Sequence, residues 1–78
     1  MITSAQIRAA RALIRMTSAE LAEKTGLGIA TIRRIEIGEG VPPGTSRTLH
    51  IIKSTLEEAG IEFIGTPEDR PGVRRKLD

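Results

Sequence analysis

The 78-residue chain contains no cysteine, which excludes disulfides, cysteine-ligated zinc and thiol chemistry together and leaves packing as the source of cohesion. Aromatic residues are almost as scarce. Phe63 is the only one, and His50 is the only histidine. With no second nitrogen or carboxylate at ligand spacing, His50 makes no metal site and is expected on a helix surface or at an interface. No apolar run approaches the roughly 18 residues a membrane span needs. The opening Met1-Ile2-Thr3-Ser4-Ala5-Gln6 has neither the basic stretch nor the apolar run of a signal peptide. The expectation is a cytoplasmic protein with no membrane contact. Catalytic patterns are missing as well: no nucleophile beside a base, no acid–base pair and no glycine-rich phosphate loop stands out. Gly26-Leu27-Gly28 follows a helix rather than a strand, so it is no dinucleotide loop. The chain is therefore not expected to be an enzyme or to carry a cofactor.

Length and charge set the frame for what is present. A single domain of this size buries only about 60% of the surface its unfolded chain exposes, so oligomerisation would add usefully to a modest stability. Net charge is only +2, but it is unevenly spread. Residues 1–53 hold eight basic side chains (Arg8, Arg11, Arg15, Lys24, Arg33, Arg34, Arg47, Lys53) against four acidic ones (Glu20, Glu23, Glu36, Glu39). Residues 54–69 hold five acidic groups and no basic one, and the tail turns basic again at Arg70, Arg74, Arg75 and Lys76. A polyanion would meet the first segment, with the tail as a further phosphate contact or simply a soluble end.

Apolar periodicity predicts four helices. Thr3-x-x-Gln6 is a capping-box pattern, and Ile7, Ala10, Leu13 and Ile14 follow at helical spacing, placing a first helix at about 4–15. Thr17 or Ser18 caps a second helix with Leu21, Ala22 and Thr25 inward, ended by Gly26. A third, over 29–37, buries Ile32 and Ile35 and turns Arg33 and Arg34 elsewhere. The Gly- and Pro-rich stretch 38–44 is a surface loop, after which Thr45 or Ser46 caps a fourth helix. Its seam is Leu49, Ile52, Leu56 and Ala59, closed by Gly60 as a left-handed cap with Ile61 folding back. Beyond it, 61–64 and 73–77 read as two short strands. An isolated hairpin is marginal in water, so this one must lie on the fourth helix, join a partner chain or stay disordered.

The informative unit is residues 18–37, S-A-E-L-A-E-K-T-G-L-G-I-A-T-I-R-R-I-E-I. It reads as two short helices crossing steeply through a glycine turn, with Ala22 small at the crossing and Leu21, Leu27, Ile32 and Ile35 as a shared core. If Ile32 and Ile35 face inward, an advance of about 100° per residue puts Ala30, Arg33, Arg34 and Ile37 outward, flanked by Ile29 and Thr31.

With its first helix, this stretch resembles the Cro and phage-repressor (XRE-like) type of helix-turn-helix regulator, over roughly residues 4–60. The resemblance implies a mainly α, four-helix, lambda-repressor-like DNA-binding domain at 1–60. A possible short C-terminal β-hairpin would lie within a 61–78 extension, itself a candidate dimerisation element. It also implies that the second helix of the pair lies in the major groove of double-stranded DNA. Arg34 is then assigned to base reading, with Arg33 shared between base and phosphate, since a guanidinium can grip guanine O6 and N7. Ile29 and Ala30 suit a thymine methyl. Ser18, Thr31 and Arg47 are assigned to the DNA backbone. A similar family feature is an arginine of the first helix paired with a glutamate ending the recognition helix, here Arg11 and Glu36. One departure is Gly28, where the family usually has a Ser or Thr cap. The expected function is a homodimeric repressor on an inverted repeat. The alternative is an antitoxin or accessory module whose segment from Gly60 onward clasps a partner protein.

Overall fold

A computed structural model describes residues 1–77; Asp78, the last residue of the expected extension, lies outside the described residues. The order is α1 (Ser4–Leu13), α2 (Ser18–Thr25), α3 (Ile29–Glu36), α4 (Ser46–Glu58), β1 (Ile61–Thr66) and β2 (Asp69–Arg75). Threonine starts three of the four helices. Thr3 and Gln6 form a reciprocal capping box on α1, at 3.1 and 2.8 Å. Thr17 and Glu20 do the same on α2, with both bonds at 3.0 Å. Thr45 accepts from the Thr48 amide at 3.1 Å to cap α4, so in both places where two residues competed for the cap the threonine holds it. Each cap takes up amide donors that the helix cannot use itself.

Helix α1 is shorter than its apolar pattern suggests. Ile14 is its C-cap and Arg15 enters the left-handed region at φ 55°, which lets the chain turn sharply into α2. The core is aliphatic: Ile7, Ala10, Leu21, Ile32, Ile35, Leu49, Ile52, Leu56 and Ile61 are all buried, drawn from every helix and from β1. On α4 the seam runs Leu49, Ile52 and Leu56 but not Ala59, which is the exposed C-cap. Its place is taken by Ile61, because Gly60 at φ 101° reverses the chain and folds Ile61 back onto the last turn.

The strands pair antiparallel with Ile61 opposite Arg75, Phe63 opposite Val73 and Ile64 opposite Gly72. The second strand starts earlier than the sequence suggests, at Asp69, and leaves Leu77 exposed. It tolerates Pro71 because a two-stranded sheet consists entirely of edges. Gly65 has to be glycine: at φ 75° a side chain would run into the Arg70 carbonyl. The hairpin does not rest on α4 alone. β2 lies along α1 and β1 against α4, with half-buried Phe63 and Val73 packed on the core. The buried amide of Gln6 donates to the carbonyls of Ile64 (3.1 Å) and Gly72 (2.9 Å), so one residue of the α1 capping box also pins the hairpin. Within the otherwise exposed loop between α3 and α4, Pro42 is buried and the Gly40 carbonyl accepts from the Ser4 amide at 2.8 Å.

Candidate nucleic-acid interface

Helices α2 and α3 meet through a turn that depends on Gly26. Its φ of 76° is left-handed, and its amide closes on the Ala22 carbonyl at 2.9 Å. Thr25 tightens the same corner: its hydroxyl lies 2.7 Å from the Leu21 carbonyl and accepts from the Leu27 amide at 3.3 Å. Leu21, Ala22, Ile32 and Ile35 are buried in the common core, while Leu27 is only partly covered. With Ile32 and Ile35 fixed inward, helical geometry presents the opposite face of α3 to solvent.

Ile29, Ala30, Arg33 and Arg34 are all exposed there, Ile37 is 74% exposed just past the end, and Thr31 is half-buried at the flank. Among the described residues no carboxylate lies within ion-pair distance of Arg33, Arg34 or Arg47. These guanidiniums are open to an outside anion. Arg47 sits in the first turn of α4 and is exposed. Ser18 is placed differently from its expected role. Its hydroxyl points back into the protein, 3.1 Å from Glu36 Oε1. At the start of α2 this leaves backbone amides rather than that hydroxyl for a phosphate. His50 is exposed on α4, 3.4 Å from the Ser54 hydroxyl.

The far end of α3 is held by a set of side chains of which sequence reasoning found only part. Arg11 grips Glu36 with two bonds, Nε to Oε2 at 2.5 Å and Nη2 to Oε1 at 3.1 Å, and its Nη1 donates to the Met16 carbonyl at 2.8 Å. Glu36 is 8% exposed, so this is a largely desolvated, bidentate pair. Ser4 and Arg8 were missed. The Ser4 hydroxyl donates to the Ile35 carbonyl at 2.5 Å. Arg8 donates to the Glu36 carbonyl at 2.5 Å and to the Gly38 carbonyl. It also pairs with Glu39 at 3.2 Å. The last carbonyls of a helix have no partners within it, and cations there meet the negative end of its dipole. A signal was available: Ser4, Arg8 and Arg11 fall at i, i+4 and i+7, a polar stripe on one side of an amphipathic helix. The opposite end of α3 has nothing comparable. Gly28 is the N-cap and supplies no side-chain bond.

A family model described as helix-turn-helix, HTH_3, matches residues 7–46, from the middle of α1 to the start of α4. The chain belongs to the HTH_3 helix-turn-helix family. Its four helices are a lambda-repressor-like domain, here extended by a two-stranded hairpin. As a helix-turn-helix protein it is of the DNA-binding transcription-regulator kind. Among curated proteins no significant match was found. No helix among the described residues is long and apolar enough to cross a membrane.

Proposed function

We propose that this helix-turn-helix protein is a sequence-specific repressor, acting in the cytoplasm as a homodimer on an inverted-repeat operator. In this reading residues 1–60 bind DNA and the segment from residue 61 onward helps to join two copies. The observation that carries the reading is the contrast on α3: a face of exposed arginines with no ion-pair partner among the described residues, whose rear is fixed by Ser4, Arg8, Arg11 and Ser18. A rod already fixed in place loses little backbone entropy on docking, which leaves the ordering cost to the arginine side chains alone. Arg34 reads a base, Arg33 reads a base or holds a phosphate, and Ile29 and Ala30 pack on thymine methyls. Thr31, Arg47 and the first amides of α2, at Ser18, hold the sugar-phosphate backbone and set the register. One recognition helix reads few base pairs, which is why two copies and half-sites about one helical turn apart are expected.

Selection of bound duplexes from a random pool at stated salt tests this directly, giving site, symmetry and spacing together. A symmetric motif is the expected result. In the selected site, Arg34→Ala should weaken specific binding by about 1–3 kcal/mol and relax preference at one base position. An unchanged motif in that variant removes Arg34 from base reading.

A further inference from the structure

The two edges of the hairpin are not alike, and the difference identifies the one that takes another strand. The Lys76 amide donates to the Gly60 carbonyl at 2.7 Å, while the Gly60 amide itself closes on the Glu57 carbonyl at 3.0 Å; the one cross-strand bond makes Gly60 and Lys76 a pair at a hydrogen-bonded position of the ladder. In an antiparallel ladder such pairs alternate with pairs whose amides and carbonyls point away from the partner strand. From the register, Glu62/Arg74 and Ile64/Gly72 bond inward, whereas Ile61, Phe63, Val73 and Arg75 turn their backbone groups outward. Among the described residues no hydrogen bond from outside the hairpin reaches the amide or carbonyl of Ile61 or Phe63.

The β2 edge is blunted. Pro71 has no amide to offer, and while Arg70 and Arg74 are paired with Asp69 and Glu62, Arg75 and Lys76 add positive charge with no ion-pair partner among the described residues, both of which are features that discourage pairing at an edge. A second β2 laid against it would bring like charges together. The β1 edge lacks both features over Ile61-Glu62-Phe63-Ile64, which has no proline and no cation, and Phe63 and Ile64 are only partly buried; the ladder is irregular only beyond Ile64, at Gly65. Its single charge, Glu62, is already matched by Arg74 at 2.8 Å across the ladder, and that pairing holds its carboxyl below the usual carboxylate range.

We infer that β1 pairs antiparallel with β1 of a second copy about a two-fold axis through Phe63, making a continuous four-stranded sheet. This rests on the homodimer reading above and assigns its interface. Phe63 then bonds to Phe63 of the twin, and the regular pairing spans Glu62 to Ile64 on each copy, ending where the strand bulges at Gly65. On the inner face the row across the sheet is Val73, Phe63, Phe63 and Val73, wholly apolar, with the only aromatic side chain of the protein meeting its own copy. On the outer face Glu62 falls opposite Ile64 of the twin, so no like charges stand directly opposed. The contact is isologous and closes on itself, as a two-fold interface must.

The absence of native cysteine makes the register testable. Chains carrying Glu62→Cys and Ile64→Cys, one of them mass-tagged, are mixed and oxidised in the otherwise unaltered protein, with Leu77→Cys as an exposed control. Residues directly opposite each other bring their Cβ atoms about 4.5–5.5 Å apart, against roughly 7–8 Å on the diagonal. The 62–64 heterodisulfide should therefore exceed either homodisulfide several-fold, and the free wild-type protein should sediment as a dimer. A yield no greater than the control, a preference for homodisulfides, or a monomer in sedimentation overturns the inference. Should Ile64→Cys unfold, a spin label on Glu62→Cys reads the same diagonal, and loss of the short inter-copy distance is the overturning result. Failure here is separable from failure of the DNA reading: a monomer that still selects a half-site rejects only the pairing. A cross-linked dimer indifferent among duplexes rejects only the DNA role.

Discussion

The two ends of α3 are built on opposite plans. Its C-terminal end is tied down by Ser4, Arg8 and Arg11 of α1 and Ser18 of α2, acting on two backbone carbonyls and one carboxylate. Its N-terminal end starts at a glycine without a side-chain cap, with Ile29 and Ala30 exposed beside it. Under the proposed function this is a division of labour along eight residues: orientation is fixed from behind, and the leading end is left bare for contact with DNA. This comparison predicts that substitutions at the rear change folding, that those on the outer face change binding, and that those at the leading end trade one against the other.

The largest effect is expected at the Arg11–Glu36 pair. Removing one partner of a desolvated pair strands the other, and Arg11→Ala should cost about 3 kcal/mol. Against a total stability on the order of 4–12 kcal/mol for a chain of this length, that is a severe loss. Urea denaturation would measure it, and a midpoint unchanged from wild type would refute the brace. Arg34→Ala is the counterpart on the other face. Its stability should stay within about 0.5 kcal/mol of wild type while specific DNA affinity falls, so the pair of variants separates folding from reading.

Arg8→Ala should rank next, at about 1–2 kcal/mol, since a charged donor to two otherwise unpartnered carbonyls is lost but water can reach the site. A neutral result would mean that Ser4 and Arg11 hold the helix end without it.

Much of this architecture is legible in the sequence, and where it is not the reasons are physical. The cap at Thr3, the Gly26 turn and the inward Ile32 and Ile35 follow from local chemistry that a short window carries, while the choice of Thr17 over Ser18 as the second cap is settled only by the structure. The Arg11 and Glu36 pairing came from resemblance, and the structure brings the two together at 2.5 Å. The partners of Ser4 and Arg8 are backbone carbonyls about thirty residues away, and carbonyls carry no sequence signature. Likewise, the place of the hairpin depends on Gln6 reaching Ile64 and Gly72, long-range bonds from a residue whose local role in the capping box already accounted for it. Ala59 was misplaced because helical spacing does not register where Gly60 ends the helix and hands its position in the seam to Ile61.

Acid should test the start of α2. Bonding to the Thr17 amide and hydroxyl holds the Glu20 carboxyl below its ordinary range, helped by Lys24. A carboxyl depressed in the folded state stabilises it above the unfolded range, and the gain is lost as pH falls through the folded value. Glu20→Gln should therefore flatten the acid side of the stability curve while leaving Arg34-dependent binding intact. An unchanged slope below the ordinary carboxylate range would show that the capping box does without the charge.

The smallest expected change bears most directly on the contrast between the two ends. Gly28 has φ −68° and ψ 147°, an extended conformation open to any residue. A Cβ there would meet only the Thr31 hydroxyl, at 3.9 Å. Gly28→Ser can therefore cap α3 on the Thr31 amide without strain, and should raise stability by a few tenths of a kcal/mol. If the bare end is kept for DNA, the same change engages an amide that a phosphate would otherwise use, so affinity should fall as stability rises. A variant that gains in both would show that the open end contributes nothing to binding, leaving α3 asymmetric for structural reasons alone.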